Sequence, residues 1–142
     1  MDTQDSKTAV ITGASSGIGA AFAHKLATQG HDLILVAERE ARLAQLATKL
    51  QQQFHVNAEV LAADLSLSGD IERVEERIAR RPALELLVNN AGFGVPGKFI
   101  NAPLDRTLAM INVHVLATTR LTHGVLPGMI ARGRAELSTC LQ

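Results

Sequence analysis

The sequence lacks tryptophan and tyrosine and contains a single cysteine, Cys140. A single thiol excludes an internal disulfide, so the fold depends on its apolar core, and this suits a reducing compartment. The absence of tyrosine removes one of the side chains that enzymes use as a general acid. Cys140 stands near the end of the chain without an identifiable catalytic partner, and we interpret it as a thiol without a catalytic role.

Net charge is also absent, because 14 basic residues balance 14 acidic ones. A chain without excess charge has no overall field that attracts nucleic acid or an anionic membrane. No apolar run approaches the roughly 20 residues that span a bilayer, and Met1–Lys7 is polar rather than leader-like. These absences predict a cytoplasmic protein that binds neither nucleic acid nor a membrane.

Apolar residues, in contrast, make up 46% of the chain, which indicates one folded domain over residues 1–142. Short apolar runs alternate with helical patterns along it. The predicted strands are 8–12, 31–37, 58–63 and 84–88, and the predicted helices are 20–29, 39–54, one that Ser68 caps, and 105–131 with a bend or break at Pro127. This alternation predicts an α/β fold with a Rossmann-like, doubly wound parallel sheet.

A glycine-rich loop joins the first predicted strand to the first predicted helix. Its residues of interest are Gly13, Ser15, Ser16, Gly17, Ile18 and Gly19. Glycines let the backbone approach a pyrophosphate, and the amides and dipole at a helix start stabilise the phosphate charge. The flanking strand and helix favour phosphate binding over an ordinary capped turn.

This loop has the spacing G-x-x-x-G-x-G, and Asn89-Asn90-Ala91-Gly92 follows the fourth predicted strand. Over about Thr8 to Arg132, the two motifs together resemble the short-chain dehydrogenase/reductase family. The resemblance implies an oxidoreductase that transfers hydride between NAD(P) and a small carbonyl or alcohol substrate. It implies cofactor contacts from Gly13, Ser15, Ser16, Gly17, Ile18 and Gly19 at the phosphates, Asp64 and Leu65 at the adenine, and Asn90, Ala91 and Gly92 beside the adenine-side ribose.

The same resemblance implies that Asn89 and Asn90 act mainly by holding neighbouring strands and the loop through side-chain hydrogen bonds. For Asp64, a plain turn residue is the alternative to an adenine contact, because aspartate favours turns. Phe93 and Phe99 lie beyond the second motif, and for both we favour packing under the loop over substrate contact.

The end of the second predicted strand bears on the choice between NAD and NADP, because a carboxylate there binds the ribose hydroxyls and repels a 2′-phosphate. The family's acid in NAD-preferring members matches Ala37, and the arginine of NADP-preferring members matches Glu38. Glu38 remains a candidate for the ribose, and Arg39 or Arg42 for a phosphate. The preference therefore stays undetermined at this point.

Within the last predicted helix, Asn112 matches the family's catalytic asparagine, whose backbone carbonyl holds a water of a proton relay. The helix is apolar on two faces, so the resemblance implies a homo-oligomer contact through residues 105–131, with burial by the rest of the subunit as the alternative. His114 and His123 have no accompanying cysteine or carboxylate cluster, and no metal is predicted.

The family also uses a serine, a tyrosine and a lysine, and here the sequence departs from it. After Arg134 the residues 135–142 are too polar and too short for a buried central strand, so we expect a sheet truncated after about four strands. We interpret the chain as an incomplete domain, from a truncation or a change of reading frame, that is inactive as given. The alternative is a non-catalytic dinucleotide-binding or protein-interaction module.

Overall fold

A computed structural model describes residues 6–140, so most of the polar start Met1–Lys7 and the last two residues lie outside the described part. Five strands alternate with helices. The strands are β1 (Thr8–Thr12), β2 (Asp32–Ala37), β3 (Ala58–Ala62), β4 (Leu84–Asn89) and β5 (Glu136–Thr139), and the helices are α1 (Gly17–Thr28), α2 (Glu40–Phe54), α3 (Ser68–Ala79), α4 (Leu104–Ile111) and α5 (Thr118–Ala131). The predicted strand and helix order is confirmed through α3 and β4.

The strands form one parallel sheet in the order β3-β2-β1-β4-β5. The chain winds outward from β1 to β3 and then crosses back to place β4 on the other side of β1. This reversal makes β1 and β4 the switch point of a doubly wound sheet, where a crevice opens at the carboxyl ends of the strands. The Rossmann-like fold is therefore confirmed, and it determines where a ligand site lies.

Two apolar layers cover the two faces of the sheet. Alternate residues of β1 serve opposite layers, because Ala9 and Ile11 belong to one and Val10 to the other. Helices α1 and α2 complete the first layer, and α3 and α5 complete the second. Strands covered on both faces need continuous apolar runs, which explains the pattern of β1 and β2.

The expectation that the sheet stops after four strands is wrong. Strand β5 pairs in parallel with β4, from Leu86 opposite Glu136 to Asn89 opposite Thr139. Backbone hydrogen bonds make this ladder and require no apolar side chains, so a polar segment is able to form it. Strand β5 is largely exposed, in keeping with the inference that these residues do not form a buried strand.

The last predicted helix is also not one regular helix. A π-helical segment, Asn112–Ala117, joins α4 to α5. The irregularity lies there rather than at Pro127, and α5 runs through that proline without a break. The prediction that Ser68 caps α3 is likewise wrong, since Ser68 is the first helical residue and Leu67 stands at the cap. Among residues 6–140, no helix is long and apolar enough to cross a bilayer.

Candidate functional site

A cleft of about 690 Å³ opens at the carboxyl ends of the central strands. Its volume lies within the range of small-molecule sites, roughly 300–1,000 Å³. The predicted cofactor-binding residues line it with the exception of Gly19: Gly13, Ser15, Ser16, Gly17, Ile18, Glu38, Arg39, Asp64, Leu65, Asn90, Ala91 and Gly92. The fold thus brings together four segments that the sequence keeps far apart.

Glycine is required at the three positions of the loop for different structural reasons. Gly13 has φ +67°, and a Cβ there would lie 2.8 Å from Nδ2 of Asn90. A Cβ on Gly19 would lie 2.2 Å from the carbonyl oxygen of Gly13, so Gly19 permits close packing of α1 on the loop. Gly17 has φ +57°, and a Cβ there would meet no described atom within 4 Å. Gly17 therefore presents backbone to open space in the cleft.

Polar side chains between the strand ends hold the loop in place. The Thr12 hydroxyl accepts a hydrogen bond from the Asn90 backbone N–H at 3.0 Å, and Nδ2 of Asn90 donates to the Gly13 carbonyl at 3.1 Å. Nδ2 of Asn89 donates to the Thr122 hydroxyl on α5 at 3.1 Å. The predicted structural role of Asn90 is confirmed by its bond to the loop, whereas the Asn89 side chain bonds to helix α5 rather than to a neighbouring strand.

Arg39 crosses from the end of β2 to the glycine-rich loop. Its Nη2 donates to the Ser16 hydroxyl at 3.1 Å and lies 3.3 Å from the Ser15 hydroxyl. Within the described residues, Ser16 is the N-cap of α1 and makes no side-chain bond to the helix. The first-turn amides of α1 and a guanidinium therefore meet at one rim of the cleft, which suits an anionic ligand.

The loop after β3 forms the opposite rim. The Asp64 carboxylate accepts bonds from the Ser66 backbone N–H at 2.9 Å and from its hydroxyl at 2.6 Å, so Asp64 is a turn former that also lines the cleft. The Asp64 backbone N–H donates to Asp70 at 2.7 Å, and this bond holds the pKa of the Asp70 carboxyl below its usual value. Leu65 is buried in the core beside this turn.

Asn112 begins the π-helical segment. Its Nδ2 donates to the Ser66 carbonyl at 3.0 Å, which ties the last helical region to the loop after β3. The cleft wall at this point is formed by its neighbour Val113. The side chain of Asn112 thus has a positioning contact that the sequence did not indicate.

Further residues in the cleft wall or in contact with it were absent from the predicted site, among them Phe93, Arg106 and His114. Phe93 lines the cleft, the Arg106 guanidinium carbon lies 5.0 Å from the centroid of that ring, and Nε2 of His114 lies 3.0 Å from the Phe93 backbone nitrogen. No local motif marks Arg106 or His114, because only the folding of α4 and the π-helical segment over the loop brings them there. Phe99 is 82% exposed, so the expectation that it packs under the loop is wrong.

Histidine, cysteine and carboxylate side chains do not gather at this site. Within residues 6–140, no group of three or more of them is arranged to hold a metal ion.

A family model described as short chain dehydrogenase matches residues 7–137 of the chain. Very-long-chain 3-oxoacyl-CoA reductase from Anas platyrhynchos is 38% identical over 136 residues, which cover 91% of this chain and 43% of that protein. Inactive hydroxysteroid dehydrogenase-like protein 1 from Rattus norvegicus is 34% identical over 133 residues, which cover 92% of this chain and 40% of that protein. The chain thus spans less than half the length of these curated relatives.

Among solved structures, a short-chain dehydrogenase from Sphingobium yanoikuyae in complex with NADPH has a TM-score of 0.91 at 38% identity, over 94% of this chain and 52% of that one. The family match continues to residue 137, so our placement of the departure after Arg134 is too early. Sequence and fold agree over nearly the whole of this chain. The chain therefore belongs to the short-chain dehydrogenase/reductase family and corresponds to the amino-terminal portion of its members.

Proposed function

We propose that the cleft binds a nicotinamide dinucleotide and that the complete protein is an NAD(P)-dependent oxidoreductase acting on a carbonyl or alcohol. The observation that carries this proposal is the cleft at the switch point, whose rim is a glycine-rich loop running into the start of α1. Backbone amides at a helix start, without a side chain at Gly17, fit a pyrophosphate. When bound, the nicotinamide would supply or accept the hydride.

In this proposal each rim of the cleft holds a different part of the dinucleotide. The phosphates are surrounded by Gly13, Ser15, Ser16, Gly17 and Ile18. Gly19 does not line the cleft but allows α1 to pack closely on the loop. Asp64 and Leu65 bound the adenine, and Asn90, Ala91 and Gly92 stand beside the adenine-side ribose. For Asn112 we keep the family's role, a backbone carbonyl that holds a relay water.

The phosphate assignment is tested by two variants of equal size, Gly17→Asp and Gly17→Asn. Both residues tolerate a positive φ better than most, so they differ mainly in charge. A carboxylate beside the pyrophosphate should weaken binding by about tenfold or more relative to the asparagine variant. The measurement is a titration of the reduced dinucleotide by its own fluorescence, in a chain free of tryptophan and tyrosine. Equal affinities of the two variants would contradict the phosphate assignment.

We also propose that the site prefers NADP(H), because Arg39 reaches the phosphate-binding loop beside the ribose position. The related Sphingobium yanoikuyae enzyme was solved with NADPH, which is consistent with this preference. Arg39→Gln should weaken NADPH binding by about 10- to 100-fold, the value of a charge-assisted hydrogen bond, and change NADH binding little. Arg42→Gln, at a residue outside the cleft lining, is the matched control. Equal losses for both dinucleotides would exclude a 2′-phosphate contact.

Proton donation is the step that these 142 residues do not supply by the family's usual route, because they contain no tyrosine. A positioned general acid contributes roughly 100- to 10,000-fold, so we expect this portion by itself to bind dinucleotide without appreciable turnover. A non-catalytic binding module is the second candidate, favoured by the missing tyrosine and by similarity to a relative named as inactive. Turnover of a carbonyl panel by the complete protein distinguishes the two.

An apolar stripe on the last helical region supports the homo-oligomer contact. Leu104, Leu108, Ile111 and Val115 recur at helical spacing and are 45–69% exposed. We propose that a second copy covers them, and that Leu108→Glu shifts the complete protein toward monomer in sedimentation velocity. An unchanged association state would favour burial by another part of the same subunit.

A further inference from the structure

His114 is held against the backbone of the loop that follows β4. Its Nε2 lies 3.0 Å from the Phe93 nitrogen and 2.9 Å from the Phe93 carbonyl oxygen. A neutral imidazole carries one donor and one acceptor nitrogen, so Nε2 accepts from the N–H in one tautomer and donates to the C=O in the other. Either tautomer ties the ring to the same residue.

Gly92 makes this approach possible. A Cβ at that position would lie 2.5 Å from Cε1 of His114, a distance that carbon atoms do not tolerate. Gly92 therefore leaves space for the His114 imidazole and also lines the cleft. This second requirement is visible only when the helical region is packed on the loop.

The residue tied by His114 is itself part of the cleft wall. Phe93 lines the cleft, packs on the second apolar layer and has the Arg106 guanidinium over its ring. Because one hydrogen bond from Nε2, to its N–H or to its C=O, holds the Phe93 backbone, the direction in which its side chain enters the cleft is restricted. The loop after β4 is thereby pre-organised at the site.

Two residues of the π-helical segment form hydrogen bonds to loops at the cleft. Asn112 bonds to Ser66 in the loop after β3, and His114 bonds to Phe93 in the loop after β4. Val113, between them, lines the cleft. Single π-helical turns recur at functional sites, and here the segment is bonded to both of these loops.

We propose that His114 is a positioning residue, which fixes Phe93 and the start of its loop as one wall of the dinucleotide cleft. The backbone tie stands on its own, whereas its effect on binding rests on the proposed dinucleotide site. The two parts are therefore tested separately, the first without any ligand.

The first test is nitrogen NMR of the His114 ring in the unmodified, ligand-free chain. A tied ring should show one fixed tautomer, whereas a ring averaging between both tautomers, as free imidazole does, would overturn the proposal. This measurement needs no substitution, so a variant that fails to fold does not affect it.

The second test is backbone amide exchange in His114→Phe, which keeps a ring of similar size without nitrogen. Loss of one hydrogen bond should speed exchange at Phe93 or Gly94 by about tenfold and leave Val10 in β1 unchanged. His114→Gln, which regains an amide donor and acceptor, should restore part of the protection. His123→Phe, in α5, is the control that should change neither. Where the NMR shows Nε2 without a proton, and therefore accepting from the Phe93 N–H, unchanged exchange at both loop amides in His114→Phe would overturn the proposal.

The third test is dinucleotide affinity. If the wall is pre-organised by His114, His114→Phe should bind the reduced dinucleotide about tenfold more weakly, with recovery in His114→Gln. Normal affinity in His114→Phe together with faster loop exchange would reject the effect on binding and leave the tie intact. No binding by the unmodified chain would instead reject the proposed function itself.

Discussion

Strands β1 and β5 flank β4 on opposite sides, and they make the same kind of bond to it in different surroundings. Both pair with β4 in parallel. All five residues of β1 are buried, whereas three of the four residues of β5 are exposed and the fourth is half-buried. A strand can therefore pair without being buried. Backbone groups form the hydrogen-bonded ladder, whereas burial requires helices that cover the faces of the strand.

Strands β1 and β5 also differ in their relation to the candidate site. The glycine-rich loop continues from β1, and the cleft opens between it and the end of β4. Strand β5 contributes no lining residue among those described, but the Cys140 N–H after it donates to the Asn89 carbonyl at 3.0 Å. The residue after β5 thus holds the end of β4, where the second motif begins, on the side away from β1.

The largest expected effect tests the contrast at one pair of register partners, Leu87 of β4 and Leu137 of β5. Leu87 is fully buried, so Leu87→Ala should lower the free energy of unfolding by about 2–5 kcal/mol. Leu137 is 44% exposed, and Leu137→Ala should cost less than about 1 kcal/mol. Urea unfolding of the two variants measures both, and equal losses would mean that β5 is part of the core.

A smaller effect concerns the packing of the loop that leaves β1. Gly19→Ala forces a methyl group onto the Gly13 carbonyl and should cost about 1–3 kcal/mol, with loss of dinucleotide affinity. Gly69→Ala is the control, because a Cβ in that helical position meets no described atom within 4 Å. The control should change stability by less than about 1 kcal/mol, in the favourable direction. Full stability and affinity in Gly19→Ala would contradict the packing role.

The smallest effect is a pH dependence in the loop after β3. The backbone N–H of Asp64 lowers the pKa of Asp70 below the usual 3.8, since it bonds the charged carboxylate. This contribution to stability should be present above that value and disappear as pH falls through the lowered pKa. Asp70→Asn should therefore be less stable than the unmodified chain near neutral pH and approach it in acid. A difference in unfolding free energy that stays constant with pH would contradict the assignment.

Sequence patterns were sufficient for the parts of the molecule where local chemistry and burial agree. The continuous apolar runs of β1 and β2 identify strands covered on both faces, and the glycine spacing identifies the loop between β1 and α1. The predicted role of Asn90 was correct, because its side chain follows β4 directly and bonds to the glycine-rich loop. The structure of these segments is determined by residues that are close together in the sequence.

The same patterns failed where the partner is distant in the sequence. Strand β5 was missed because exposed backbone pairing leaves no mark in side-chain polarity, and the irregular turn was expected at Pro127 rather than at Asn112–Ala117. Arg106 and His114 were missed because their contacts with Phe93 depend on how the helical region crosses the loop. Phe99 shows the converse, because it is an apolar residue that the described fold leaves largely exposed.

The sequence by itself determined the alternation of strands and helices, the glycine-rich loop and the membership of this family, because periodicity and glycine spacing act over a few neighbouring residues. Only the tertiary structure decided that β5 pairs with β4 in the sheet, that Arg39 meets Ser16, and that His114 holds Phe93. Those contacts join residues more than twenty positions apart, and their geometry follows from the packing of whole elements rather than from local preference.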